Sequence, residues 1–194
     1  MIKRIDHVSL AVNDYEKARV FFTDLLGLVP GACGSDDKNG FFWQLFSAGD
    51  LSRFELISPL EKESFLAGFL KGKDGGVHHI TFQVEDIRQT AGQLEYMGIP
   101  YFGLNDKYDN WKELFIHPRD AFGLLIQFAQ FDPAAWLDQS MNLEKGEKWE
   151  VTVSENMLHF KTEHPGGGTT DCVFDRDELD LLIAELSAAR KRLK

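Results

Sequence analysis

Two short segments of the chain echo each other seventy-two positions apart, and the polar residues they share are of the kind that hold a metal ion. Asp6-His7-Val8-Ser9-Leu10-Ala11-Val12-Asn13-Asp14 returns as His78-His79-Ile80-Thr81-Phe82-Gln83-Val84-Glu85-Asp86, which sets His7 against His79. The same offset, carried to the end of each copy, sets Phe54-Glu55-Leu56 against Ile126-Gln127-Phe128, so one carboxylate falls opposite one carboxamide. Two imidazoles, a carboxylate and an amide oxygen suit a divalent first-row ion such as Zn, Ni, Co, Mn or Fe, with positions left for water or substrate oxygens. The lack of thiolate in the set argues against a structural zinc site. Any one of these residues alone reads more readily as a partly buried histidine or a rim carboxylate. Four in register with a duplication read as a metal centre built from His7, Glu55, His79 and Gln127.

Each copy must supply strands that aim these residues at a common point. In Ile5 to Val12 the apolar Val8, Leu10 and Val12 alternate with His7, Ser9 and Ala11, the period-2 pattern of a strand covered on one face. Asn13 or Asp14 caps a helix reaching about Leu26, with Gly27 as its stop, and strands follow near 28 to 34, 40 to 47 and 52 to 58. The segment Ala48-Gly49-Asp50 separates the last two. The second copy repeats the order as a strand at 77 to 84, a helix at about 86 to 97, and strands near 100 to 104, 111 to 117 and 123 to 129. The fold class is therefore α+β, with two tandem βαβββ modules (residues 3–58 and 76–131) and a short helical linker (59–75) forming one domain, 1–131, around a metal-lined cavity. The two sheets are expected to face each other across it.

After Pro133 the duplication stops. Residues 132–194 form a C-terminal extension read as a hairpin (149–153 and 157–162), a strand (170–174) and a helix (175–193), a βββα arrangement. Leu179, Leu182, Ile183, Leu186 and Leu193 give that helix an apolar stripe that has to be covered, and a homodimer is the expected way. Gly166-Gly167-Gly168 lacks the Lys-Ser/Thr of a phosphate loop and reads as a plain loop. Of the other histidines, alternation turns His78 away from His79, His117 before Pro118 reads as structural, and His159 and His164 offer only a weak second metal site. Glu113 is a candidate second acid or base whose direction the pattern leaves open.

Composition bounds the function. The chain has 194 residues, 43% of them hydrophobic, and a formal net charge of −10, which argues against nonspecific binding to nucleic acid or to an anionic membrane surface. Cys33 and Cys172 are too few and too isolated for a disulfide framework, and no run approaches the about 18 apolar residues of a membrane span. A soluble, cytoplasmic protein acting on a small molecule is expected.

The motifs Ile5-Asp6-His7-Val8-Ser9-Leu10-Ala11-Val12, Phe54-Glu55-Leu56-Ile57-Ser58-Pro59, Gly76-Val77-His78-His79-Ile80-Thr81-Phe82-Gln83-Val84 and Phe115-Ile116-His117-Pro118 running into Gly123-Leu124-Leu125-Ile126-Gln127 resemble the vicinal oxygen chelate superfamily over about residues 3 to 131. That superfamily includes glyoxalase I, methylmalonyl-CoA epimerase, extradiol dioxygenases and bleomycin-resistance proteins, and the His-His-Ile and His-Pro segments look most like the epimerase branch. The resemblance implies an enzyme that binds a substrate with two vicinal oxygens on a divalent ion and moves a proton beside the carbonyl. Both glyoxalase-type isomerisation and acyl-CoA epimerisation fit, with Glu55 as ligand and base. The chain departs from the epimerase pattern in one respect: epimerases of this kind typically carry glutamine at the end of the first module and glutamate at the end of the second, whereas Glu55 and Gln127 exchange those identities. Two rival classes remain, an Fe(II) dioxygenase and a non-catalytic binding or resistance protein.

Overall fold

A computed structural model of the chain describes residues 2–49, 52–137 and 139–193; Asp50, at the end of the expected Ala48-Gly49-Asp50 loop, lies outside them. The first module runs β1 (Ile2–Val12), α1 (Tyr15–Val20), β2 (Val29–Asp36), β3 (Phe41–Ala48) and β4 (Ser52–Pro59). A linker helix α2 (Leu66–Leu70) leads to β5 (Gly75–Val84), α3 (Ile87–Tyr96), β6 (Phe102–Tyr108), β7 (Trp111–Ile116) and β8 (Leu125–Gln130). Asp14 and Asp86 occupy equivalent positions and do the same work: each side chain accepts the backbone N–H three residues on, at Lys17 and Gln89, and starts a helix. The first helix does not run on as a regular α-helix to Leu26, because Phe21–Leu25 widens into a π-helical turn.

One eight-stranded sheet of order β2-β3-β4-β1-β5-β8-β7-β6 holds both modules, rather than two sheets facing each other. The modules meet at an antiparallel seam between β1 and β5, and β4 and β8 pair in parallel with β1 and β5 on its two sides. The outward rows are covered by helices. Val84, Ile87, Ala91, Leu94, Leu114, Ile116 and Phe128 form one core under α3, and Val12, Phe46 and Leu56 form another with Ala18 and Phe22 of the first helical segment. Ala11 and Ile57 pack against Leu66 and Leu70 of α2. Burying such side chains stabilises the fold by about 1.5–3 kcal/mol each relative to exposure.

The seam is irregular where it matters. Between Ile5 and His7 the pairing advances two residues on β1 for one on β5, and between His79 and Val77 it advances two on β5 for one on β1. Asp6 and His78 are therefore the extra residues of two β-bulges, at equivalent positions of the duplication. A bulge re-aims the side chains beside it.

Contacts group the chain into two units, residues up to Phe131 and residues from Asp132 onward. In the second, β9 (Trp149–Ser154), β10 (Met157–Glu163) and β11 (Thr169–Phe174) form a separate sheet of order β11-β10-β9, followed by α4 (Arg176–Arg190). A capping box between Asp175 and Glu178 starts α4. No helix among the described residues is long and apolar enough to cross a membrane. Cys33 and Cys172 are exposed and free.

Candidate metal centre

His7 and Ser9 of β1 point to the inner face of the sheet, and Glu55 stands beside Ser9 on the neighbouring β4. Across the seam His79 lies opposite Ser9, and Thr81 lies beside both His7 on β1 and Gln127 on β8. Strand pairing thus brings His7, Glu55 and His79 together, with Gln127 on the next strand beside Thr81. Glu55 Oε2 is 3.7 Å from His7 Nε2 and 3.6 Å from His79 Nε2, and the three residues offer ligand atoms within 4.8 Å of one another. They form the one group of His, Cys, Asp and Glu among the described residues that can hold an ion. Gln127 is one hydroxyl away: Thr81 Oγ1 donates to Gln127 Oε1 at 2.5 Å and lies 2.9 Å from His7 Nε2.

The donors fit a divalent ion on two grounds. Glu55 Oε2 is buried and has no hydrogen-bond partner among the described residues, a costly state for a carboxylate unless a cation receives it. Ligand bonds of 2.0–2.2 Å separate neighbouring donors by about 3.0–3.4 Å, so the 3.7 and 3.6 Å between Glu55 Oε2 and the two imidazole nitrogens need only a small contraction. Burial raises the Glu55 carboxyl above its usual range, His7 opposes this, and Asp6 and Glu113 add to it. His79 is held well below its ordinary value by burial first and then by His7 and His78, which keeps its imidazole neutral and free to act as a donor.

The bulges supply the supports that alternation did not foresee. Asp6 Oδ2 lies 2.7 Å from His7 Nδ1, which fixes Nε2 as the nitrogen facing the cavity. Asp6 Oδ1 accepts from both Arg4 and Arg53. Burial alone would raise the Asp6 carboxyl, but the His7 hydrogen bond and the Arg53 and Arg4 charges hold it below the ordinary range. At the equivalent position His78 does not point away from His79: its Nδ1 is 3.0 Å from His79 Nδ1, and its ring meets Phe65 and Phe69 edge-on. Burial, helped by the Lys73 charge, lowers His78 to about 4. One candidate ligand histidine is therefore buttressed by an anion and the other by a neutral imidazole. The only signal of this in the sequence was that Asp6 and His78 share a register position.

Glu113, whose direction the sequence left open, faces the cavity. Its Oε2 accepts from Gln127 Nε2 at 2.7 Å and from Trp111 Nε1 at 2.9 Å. The remaining histidines have local partners within their own units. His117 Nδ1 accepts from Arg119 N and caps a short turn, His159 is held between Ser154 and Asp171, and His164 Nδ1 accepts from Gly166 N.

A family profile described as Glyoxalase/Bleomycin resistance protein/Dioxygenase superfamily matches residues 6–115. The ethylmalonyl-CoA/methylmalonyl-CoA epimerase of Cereibacter sphaeroides is 35% identical over 138 residues, covering 67% of this chain and 99% of that protein. The mitochondrial methylmalonyl-CoA epimerase of Homo sapiens is 32% identical over 130 residues, covering 66% of this chain and 73% of that protein. Among solved structures, methylmalonyl-CoA epimerase from Mycobacterium tuberculosis superposes with a TM-score of 0.62 at 27% identity, over 68% of this chain and 90% of that one.

Proposed function

Because the chain belongs to the glyoxalase/bleomycin resistance protein/dioxygenase superfamily, we propose that its cavity epimerises an acyl-CoA thioester at the carbon beside the carbonyl. The observation that carries this reading is the pairing of Glu55, orphaned between two histidines, with a second inward carboxylate at Glu113. His7, Glu55, His79 and Gln127 would hold a divalent ion, whether Zn, Ni, Co, Mn or Fe. Such an ion supplies Lewis-acid polarisation of the thioester carbonyl and so acidifies the adjacent C–H bond.

Inverting a carbon centre requires that a proton leave one face and another arrive at the opposite face. Glu55 comes from β4 of the first module and Glu113 from β7 of the second, so the two carboxylates approach the cavity from opposite sides of the seam. One ionised carboxylate takes the α-proton to give an enolate, and the other, protonated, returns a proton to the far face; the roles reverse for the reverse reaction. Burial first, and the nearby Glu113 carboxyl last among the causes, raise the Glu55 carboxyl above its usual range. The test is α-proton exchange: the protein loaded in turn with each of the five metals is given single-epimer methylmalonyl-CoA in deuterated water. Deuterium should enter at the α-carbon as the epimers equilibrate. Retention of both protium and configuration with every metal overturns the reading.

The chain is further inferred to work as a homodimer, because Ile183, Leu186 and Leu193 remain exposed at 52%, 59% and 80% after α4 has docked on its own sheet.

A further inference from the structure

The duplication relates two hydroxyls as well as the four expected donors. By the same offset Ser9 matches Thr81 as Glu55 matches Gln127. Each hydroxyl is the lateral neighbour of its donor: Ser9 of β1 pairs with Glu55 of β4, and Thr81 of β5 pairs with Gln127 of β8. In the second module the relation is a bond, with Thr81 Oγ1 donating to Gln127 Oε1 at 2.5 Å. In the first it is not. Ser9 Oγ and Glu55 Oε2 are both buried, and neither has a hydrogen-bond partner among the described residues.

A buried donor and a buried acceptor each cost free energy when left unmet, so two of them at adjoining positions are matched to each other. Ser9 is 0% exposed, which denies its hydroxyl bulk water. The imidazoles around it are engaged elsewhere. His79, its neighbour across the seam, turns Nδ1 to His78 and Nε2 toward Glu55, while His7 has Nδ1 against Asp6 and Nε2 against Thr81. Neighbouring strands run about 4.8 Å apart, a gap that a hydroxyl and a carboxylate can bridge by side-chain rotation. The Ser9 hydroxyl already stands near enough to Glu55 to hold its carboxyl down, after burial, which raises it, and His7, which lowers it.

We propose that Ser9 is a positioning residue for the metal centre: its hydroxyl donates to Glu55 Oε2 and so directs the free lone pair of that oxygen at the ion. Thr81 stands in the same relation to Gln127. This deepens the proposed function and rests only on its metal-binding part, whichever substrate the cavity takes. A carboxylate that carries its own hydrogen bond is held in one direction before an ion arrives.

The full chain, stripped of metal and titrated with cobalt(II) against a chromophoric chelator, tests this alongside urea denaturation of the same stripped protein. Ser9→Ala removes one oxygen and introduces no clash. It should weaken cobalt binding by about 10–100-fold, the scale of a lost ligand-orienting group. The stripped variant should nevertheless unfold at a urea midpoint no lower than wild type, because a buried hydroxyl without a partner adds nothing to stability. Ser9→Thr restores a hydroxyl in the form already present at the matching position, and should recover most of the lost affinity. In a Glu55→Gln background the loss from Ser9→Ala should shrink to about three- to tenfold, since a bond to a neutral acceptor is roughly half as strong. Three results overturn the proposal. Unchanged cobalt affinity in Ser9→Ala would make Ser9 a filler of the seam, and a midpoint that falls together with the affinity would make its hydroxyl a support of the fold. An undiminished loss in the Glu55→Gln background would mean that the hydroxyl acts through another group. Wild type that takes up no cobalt sinks the metal centre and this role with it. Cobalt-loaded protein that exchanges no α-proton with any metal sinks only the epimerase reading and leaves these affinities untouched.

Discussion

Burial raises the Glu55 carboxyl, yet Glu55 lies between two imidazoles rather than against a lysine or arginine, an arrangement suited to a cation of high charge and small radius. Glu55→Gln keeps an oxygen donor and should retain much of the metal while removing a proton acceptor; deuterium incorporation should fall by about 10²-fold or more, the usual contribution of a placed acid or base. Unchanged exchange would reduce Glu55 to a ligand and leave Glu113 as the sole base. His7→Ala and His79→Ala should each abolish stoichiometric metal with the fold intact by circular dichroism. His78 gives a separate acid signature in the metal-free protein. Its folded value of about 4 lies below the ordinary 6.5, so the unfolded chain binds the proton first as pH falls. The stability is present above pH 6.5, declines through the interval down to about 4, and totals on the order of 3 kcal/mol. Replacing His78 with Asn should flatten that part of the denaturation-midpoint profile; an unaltered slope would assign it to other groups.

At the scale of elements, the duplication made the βαβββ order of each module and the nearness of His7, Glu55 and His79 readable, because strand alternation and a constant offset are properties of sequence. What the pattern could not show was that β1 and β5 pair through bulges at Asp6 and His78. A bulge depends on the partner strand, so simple alternation assigned His78 to the wrong side and missed the Asp6 support. The same limit hid Arg4 and Arg53, which are ordinary strand-end arginines until Asp6 turns inward between them. Asp6→Asn should weaken metal binding by about 10–100-fold, as loss of a ligand-orienting carboxylate does, measured by competition with a chromophoric chelator. The seam leaves no room elsewhere: a Cβ on Gly75 would come within 2.8 Å of the Ala11 carbonyl oxygen. Gly75→Ala should therefore cost about 1–3 kcal/mol in urea denaturation. Wild-type stability in that variant would show that the strands part without strain.

Over the whole molecule, the C-terminal unit was read from its sequence as a hairpin, a strand and an amphipathic helix. The structure has those elements, with Leu179 and Leu182 half-buried and the rest of the stripe exposed. A helix stripe states how much apolar surface needs covering but not by what. Removal of residues 132–194 should lower the sedimenting mass from two chains to one while the remaining domain still takes up metal; an unchanged assembly would place the contact elsewhere. The β1–β5 seam has a further consequence. His7 and Glu55 lie on one side of it and His79 and Gln127 on the other, so an ion held by all four bridges the two halves much as a rivet joins two plates. Local opening of the seam would have to discharge the ion. Amide protons of β1 and β5 should therefore exchange with solvent more slowly in proportion to free metal above its dissociation constant, about a hundredfold slower at a hundredfold excess, while those of β9–β11 keep their own pace.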